Sequence, residues 1–301
     1  MKNYITVLIF TFFALFASTA SANLNILACE PEWAALAKEI GGNKVKVHSA
    51  TTAQQDPHHI EARPSLIAKA RRADMLLCTG AELEVGWLPL LIKKSSNSKI
   101  QEGKPGHFMA TNHVQLLDKH EKVTRSMGDV HAAGNPHIQT DPRKILQVAA
   151  ALTARMKQVD SSQANHYQQG FDQFKVKWQQ AIQGWQNKAK ALRGTHIVVH
   201  HKSWIYLQDW LGLKEVATLE PKPGIPPSTS HLSTLLQQLK KTPAKMVIYS
   251  SYQNPRSANW LANKTGIPAV KIPSTVGGTP EAKDLFSWFD DITNRLLKAK
   301  G

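Results

Sequence analysis

Three of the thirteen histidines share a context that the other ten lack. His58 follows Asp56-Pro57 in a polar loop after a strand pattern. His137 follows Asn135-Pro136 just ahead of a helix cap, and His201 closes the apolar run Ile197-Val198-Val199. Each stands where a loop leaves a strand–helix unit. Neutral imidazole is a preferred ligand of Zn²⁺, and three rings held by rigid turns make most of a first coordination shell. Any one of them alone would read as an ordinary hydrogen-bonding loop residue; their joint placement is what points to a metal. Three imidazoles plus water is also a catalytic arrangement, so a zinc-dependent hydrolase stands beside plain binding, with Glu220 the nearest suggestion for a general base. The chain has no HExxH, CxxC, Gly-rich phosphate loop or G-x-S-x-G. His107, His113, His120 and His131 fall in an irregular stretch, and His113 and His120 are expected to face solvent. Acid should release a metal held by such rings, because protonated imidazole cannot coordinate.

The elements that would position these rings alternate. Leu24 to Ala28, Val45 to Ser49 and Asp74 to Thr79 read as strands, with helices over Pro31–Ile40, Pro64–Arg72 and Glu84–Lys94 between and after them. Residues 96–134 break the periodicity. Asp141 then caps a helix with Pro142 in its first turn. Beyond it, Ser161 to Leu192 is the longest helical pattern, with Tyr167, Phe171, Phe174, Trp178, Ala181, Trp185 and Leu192 along one stripe. Asp160 offers its cap, with Gln163 at the capping-box position. At 1.5 Å per residue this stretch makes a rod of about 48 Å, long enough to brace two lobes. Alternation resumes in strands at 195–200, 216–219, 245–250 and 270–272, with helices at 203–210, 232–240 and 255–264 between them. A last helix is expected with Thr279 as its cap. The fold class is thus α/β, two lobes of parallel sheet with flanking helices joined by a long rigid helix. The expected boundaries are 23–159, a bridge at 160–192, and 193–301. A ligand would lie in the crevice at the carboxyl ends of the strands. Tryptophans 178, 185, 260 and 288 lie on apolar stripes and are expected in the core. The stiff loop Glu220 to Pro227 reads as a lobe edge.

Residues 1–22 read as a cleaved secretory signal, with Lys2, the largely apolar Ile5–Ala17 and Ala20-Ser21-Ala22 as cleavage site. The expected compartment is the periplasm. Ile26-Leu27-Ala28-Cys29 faintly resembles a lipoprotein box but lacks its own apolar run, so lipid anchoring is not expected. Cys29 and Cys78, both near strand ends in an oxidising compartment, are expected to pair, with two buried thiols as the alternative. The formal charge of +15 is scattered over helices rather than gathered in arms, and with export it argues against nucleic acid as a partner.

Together these motifs resemble the periplasmic metal-binding proteins of zinc and manganese ABC transporters, the cluster A-I or ZnuA-like and TroA-like solute-binding family. The resemblance runs over essentially the whole exported chain. It is carried by Leu24-Asn25-Ile26-Leu27-Ala28, Gly41-Gly42, Asp56-Pro57-His58 with Glu61 and Pro64, and Ala73-Asp74. Gly80 with Glu84 and Trp87, Gly134-Asn135-Pro136-His137 with Asp141-Pro142, the long helix, and His201 with Tyr206 complete it. It implies a monomeric receptor that captures Zn²⁺ between two lobes and delivers it to an inner-membrane ABC permease, with little domain movement because a continuous helix resists hinging. It assigns His58 and His137 as ligands from the first lobe and His201 from the second, leaving the neighbouring His59 and His200 aside. Many members add an Asp from the loop after the last strand, but here Ser274 stands nearest that place. Water, Glu220, His131 and His59 remain candidates for the fourth position. Three imidazoles without that carboxylate suit Zn²⁺ better than the harder Mn²⁺. The same role for Mn²⁺ or Fe²⁺, and a metal-linked adhesin, are the alternatives.

Overall fold

The computed structural model describes residues 23–301; the proposed signal segment lies outside them. The first half runs β1 (Leu24–Ala28), α1 (Pro31–Gly41), β2 (Val45–Ser49), α2 (Pro64–Arg71), β3 (Met75–Cys78), α3 (Leu88–Ser95) and β4 (His107–Met109). Two long helices follow, α4 (Pro142–Val159) and α5 (Ala164–Lys188). The second half runs β5 (His196–Val199), α6 (Ile205–Leu211), β6 (Lys214–Thr218), α7 (Thr229–Lys241), β7 (Met246–Ser250), α8 (Arg256–Thr265), β8 (Ala269–Ile272) and α9 (Leu285–Lys300).

Each half holds a four-stranded, all-parallel sheet, in the orders β2-β1-β3-β4 and β6-β5-β7-β8. The two orders are the same when each half is counted from its own first strand. Central parallel strands are covered on both faces, which is why all four residues of β3 are buried apolar side chains. The main core is continuous across both halves. It runs from Leu24, Trp33 and Met75 through Phe174 and Trp178 to Ile197, Ile248 and Leu296, while smaller clusters fill the outer face of each sheet.

α5 joins the halves. It packs on α1 and α4 at one end and on α9 at the other. Trp178 Nε1 donates to the Pro142 carbonyl at 2.8 Å, and two turns on, Trp185 Nε1 donates to Asp290 at 2.8 Å. Gly170 permits the close approach to α1, because a Cβ there would strike the Ile40 carbonyl oxygen. The helical stretch does span 161–192, but its first and last turns are 3₁₀. Asp160 does not cap it through backbone N–H groups. Its carboxylate instead accepts from Ser162 Oγ and from the buried Tyr167 hydroxyl.

Other expectations shift for physical reasons. Asp141 caps α4 as expected, accepting from the Arg143 N–H at 2.8 Å. α3 starts at Leu88 rather than Glu84, because positive φ at Ala81 and Glu82 turns the chain and brings the Glu84 carboxylate back onto the Thr79 and Gly80 N–H groups. α9 is capped by Asp284, in a capping box with Ser287, while Thr279 donates to the buried Asp291. β4 lies within the stretch left irregular by its sequence; three residues are too few to show a period. Trp178, Trp185 and Trp288 are core, and Trp260 is partly buried against the outer cluster of the second sheet. Cys29 and Cys78 form a disulfide joining the ends of β1 and β3, with both residues fully buried.

Candidate metal centre

His58, His137 and His201 meet where the two sheets' carboxyl ends face each other. One ligand atom from each lies within 4.8 Å of the other two, and all three residues are buried. The ring centroids form a near-equilateral triangle, 5.5 Å from His58 to His137, 5.7 Å from His58 to His201 and 5.7 Å from His137 to His201. Tetrahedral Zn–N bonds of about 2.0–2.1 Å place donor nitrogens roughly 3.4 Å apart, so a small contraction would seat an ion.

His58 leaves the loop after β2 with its Nδ1 2.7 Å from Asp56 Oδ1, which also accepts the His58 backbone N–H. Burial alone would raise the Asp56 carboxyl, but the hydrogen bond and charge of His58 outweigh it and hold the pKa below its usual value. An ionised carboxylate only accepts, so His58 Nδ1 donates, and the neutral form of the ring then carries its lone pair on Nε2. That Nε2 is buried with no hydrogen-bond partner. His201, just beyond β5, repeats the arrangement with its Nδ1 2.7 Å from Glu220 Oε2, an oxygen that also accepts the Gly224 N–H. Such carboxylates behind metal-binding imidazoles fix tautomer and ring orientation. His137 is held by its backbone, whose N–H donates to Asn135 Oδ1, and its own Nε2 is buried without a partner. Burial first, then the neighbouring His58 and His201 rings, push the His137 pKa well down. Three rings packed this closely repel as cations and attract one cation together.

Asn135 also ties the halves together. Its side chain donates to the Lys202 carbonyl, and its own carbonyl accepts from the Tyr206 hydroxyl, which in turn receives the Leu117 N–H. The site is therefore shared by first-half loops and the β5–α6 turn.

The remaining sequence candidates separate. His59 is largely exposed, 3.9 Å from Asp129. His200 continues the β5 ladder, donating its N–H to Ile248. Glu220, weighed as ligand or general base, is committed to His201 and Gly224. Ser274 lines a small cavity beneath His137, beside Glu30, Glu32 and Thr275. His113 is exposed and stacks on Phe108. His131 lies close by, its ring stacked on that of His58 at 5.6 Å.

Sequence reading missed the acidic layer below the rings. Glu30, Glu32 and Glu84 are all buried. Desolvation lifts Glu32 and Glu84 to about 7, and burial followed by the charge of Glu84 lifts Glu30 further above its usual range. Thr79 and Thr275 hydroxyls donate into this group. Glu30 and Glu84 lie in turns and Glu32 in the first turn of α1, positions whose acidic side chains carry no periodic signal that would mark them as buried.

A family model described as "ZnuA: Zinc-uptake complex component A periplasmic" matches residues 26–299. The chain belongs to the ZnuA family. Curated relatives include the high-affinity zinc uptake system protein ZnuA of Bacillus subtilis, 22% identical over 87% of this chain and 82% of that protein. The manganese ABC transporter substrate-binding lipoprotein PsaA of Streptococcus pneumoniae serotype 4 is 22% identical, over 93% of this chain and 89% of its own length. A crystal structure of ZnuA superposes with TM-score 0.75 at 21% identity, covering 93% of this chain and all of that one. A zinc-bound ZnuA deletion mutant gives 0.76 at 19% identity over 93% of this chain and 98% of its own. These last two likenesses carry the fold, two parallel-sheet lobes joined by a long helix. Among the described residues no helix is long and apolar enough to cross a membrane.

Proposed function

We propose that this protein is an extracytoplasmic receptor that binds Zn²⁺ through His58, His137 and His201 between its lobes and hands it to an ABC permease as a monomer. The observation that carries this reading is the convergence of three buried imidazoles within 4.8 Å, with the Nε2 atoms of His58 and His137 unpartnered. Family membership supports a transport role, since the family's own description is of a periplasmic zinc-uptake component. Relatives named for manganese leave the metal to the donor set, and here the three converging donors are nitrogens, which favour Zn²⁺ over Mn²⁺. Lobe boundaries at residues 159/160 and 192/193 belong to this reading and are supported by the helical span that joins the sheets.

The donor set and its surroundings also favour capture over hydrolysis. A general base must be free to take a proton from metal-bound water, and Glu220 is instead bonded to the His201 ring. Release through a cleaved signal, rather than anchoring at Cys29, is supported by chemistry: lipidation would need the Sγ atom that Cys29 shares with Cys78.

Zinc titration of the purified protein tests the assignment. One tightly bound ion per chain is expected, and His58→Ala, His137→Ala and His201→Ala should each weaken it strongly, while His113→Ala leaves it unchanged. Unaltered binding in all three ligand variants would overturn the reading.

A further inference from the structure

We infer that His131 supplies the fourth donor to the metal, carried into place by a strap that clasps the second half of the molecule. This rests on the three-histidine site proposed above. His131 has the features of a ligand in waiting. Its side chain is 10% exposed, and its Nε2 is buried with no hydrogen-bond partner. Its ring lies 5.6 Å from His58, at the same spacing as the three converging rings, and it lines the same cleft as His137 and His201. Behind it Glu82 Oε2 stands 4.0 Å from Nδ1 and accepts the Ala132 N–H. That repeats, more loosely, the carboxylates behind His58 and His201.

The other candidates are spent or misplaced. Glu220 serves His201, His59 is largely exposed and Ser274 offers only a neutral hydroxyl. His131 is not within the 4.8 Å group, so coordination must draw it inward by a small step. The segment bearing it is held against the second half. It crosses from the first half and latches onto the loop after β6, with the Asp129 N–H donating to the Pro223 carbonyl at 2.9 Å and Lys222 Nζ donating to the Ser126 carbonyl at 2.7 Å. Gly128 and Gly224 make this approach possible, since a Cβ on either would collide with Pro223 or Asp129 respectively. A fourth imidazole gives an all-nitrogen shell that selects Zn²⁺ against Mn²⁺, and it ties the strap to the bound ion.

Zinc-edge X-ray absorption and the visible spectrum of the Co²⁺-loaded protein test this, on the full chain with His131→Ala, and with His120→Ala on the same strap as a control. Four imidazoles around zinc and a tetrahedral Co²⁺ spectrum are expected in the parent and in His120→Ala. His131→Ala should show three imidazoles and one oxygen, with zinc affinity down about 10–100-fold or more, at least the loss typical of an outer-shell partner. A parent spectrum with three imidazoles and one oxygen, unchanged by His131→Ala, would reject the fourth-donor assignment while leaving the three-histidine site intact. Absence of zinc binding by the parent, or indifference to His58→Ala, would instead reject the site itself.

Discussion

Asp56 and Glu220 decide which nitrogen of their rings faces the cleft. Each sits 2.7 Å from an Nδ1, so in the proposed site the Nδ1–H is taken up by the carboxylate and Nε2 is the nitrogen left to bind metal. Removing the negative charge while keeping the shape should leave the fold intact and loosen the metal. We expect Asp56→Asn and Glu220→Gln each to lower zinc affinity by about 10–100-fold, read by competition with a chromophoric chelator. An amide can also present its NH₂ to the ring and favour the wrong tautomer, which pushes in the same direction. Equal affinity in both variants would mean that the rings are oriented by packing alone.

At the scale of elements, the loops that carry the rings are held by what lies beneath them. The disulfide fastens the end of β1 to the end of β3 across a separation of 49 residues. Closing a loop of that length in the unfolded chain is worth about 4 kcal/mol in the chain-entropy account. The double variant Cys29→Ser/Cys78→Ser should therefore lose stability on that order in urea unfolding, with the same metal stoichiometry when folded. Equal midpoints for oxidised and double-variant protein would show that the bridge is thermodynamically idle.

Across the whole molecule, α5 and the continuous core hold the two sheets as one body, so metal loading is expected to change the strap and the loops more than the angle between lobes. The buried acidic layer sets a pH dependence of the fold. Glu84 has its folded-state pKa raised from 4.5 to about 7 by desolvation, only partly offset by the Gly80 and Thr79 N–H groups, and it faces Glu30 and Glu32. Folding therefore favours its protonated form: the stabilisation is complete below about pH 4.5 and is withdrawn as pH rises toward about 7. His131 and His137, with lowered pKa values, act in the opposite sense, so the parent's net profile mixes the two. Glu84→Gln isolates the acid. Its melting temperature relative to the parent should rise between pH 5 and pH 8 in the metal-free protein, and a difference that stays flat would contradict the raised pKa.

Periodicity and turn chemistry in the sequence were enough to mark the alternating strands and helices, the long bridging helix and the three histidines at loop mouths, because burial of one face imposes a repeat that can be read along the chain. They did not mark β4, too short for a repeat, or the cap of α9, which passed from Thr279 to Asp284 once Thr279 found Asp291. Nor could they rank His131 against His59 and Glu220. Which imidazole keeps a buried, unpartnered nitrogen and which carboxylate is already bonded depend on neighbours that only folding brings together, as Glu220 is brought to His201. Only the folded chain brings those groups within hydrogen-bonding reach, and only there does desolvation separate a ligand from a bystander.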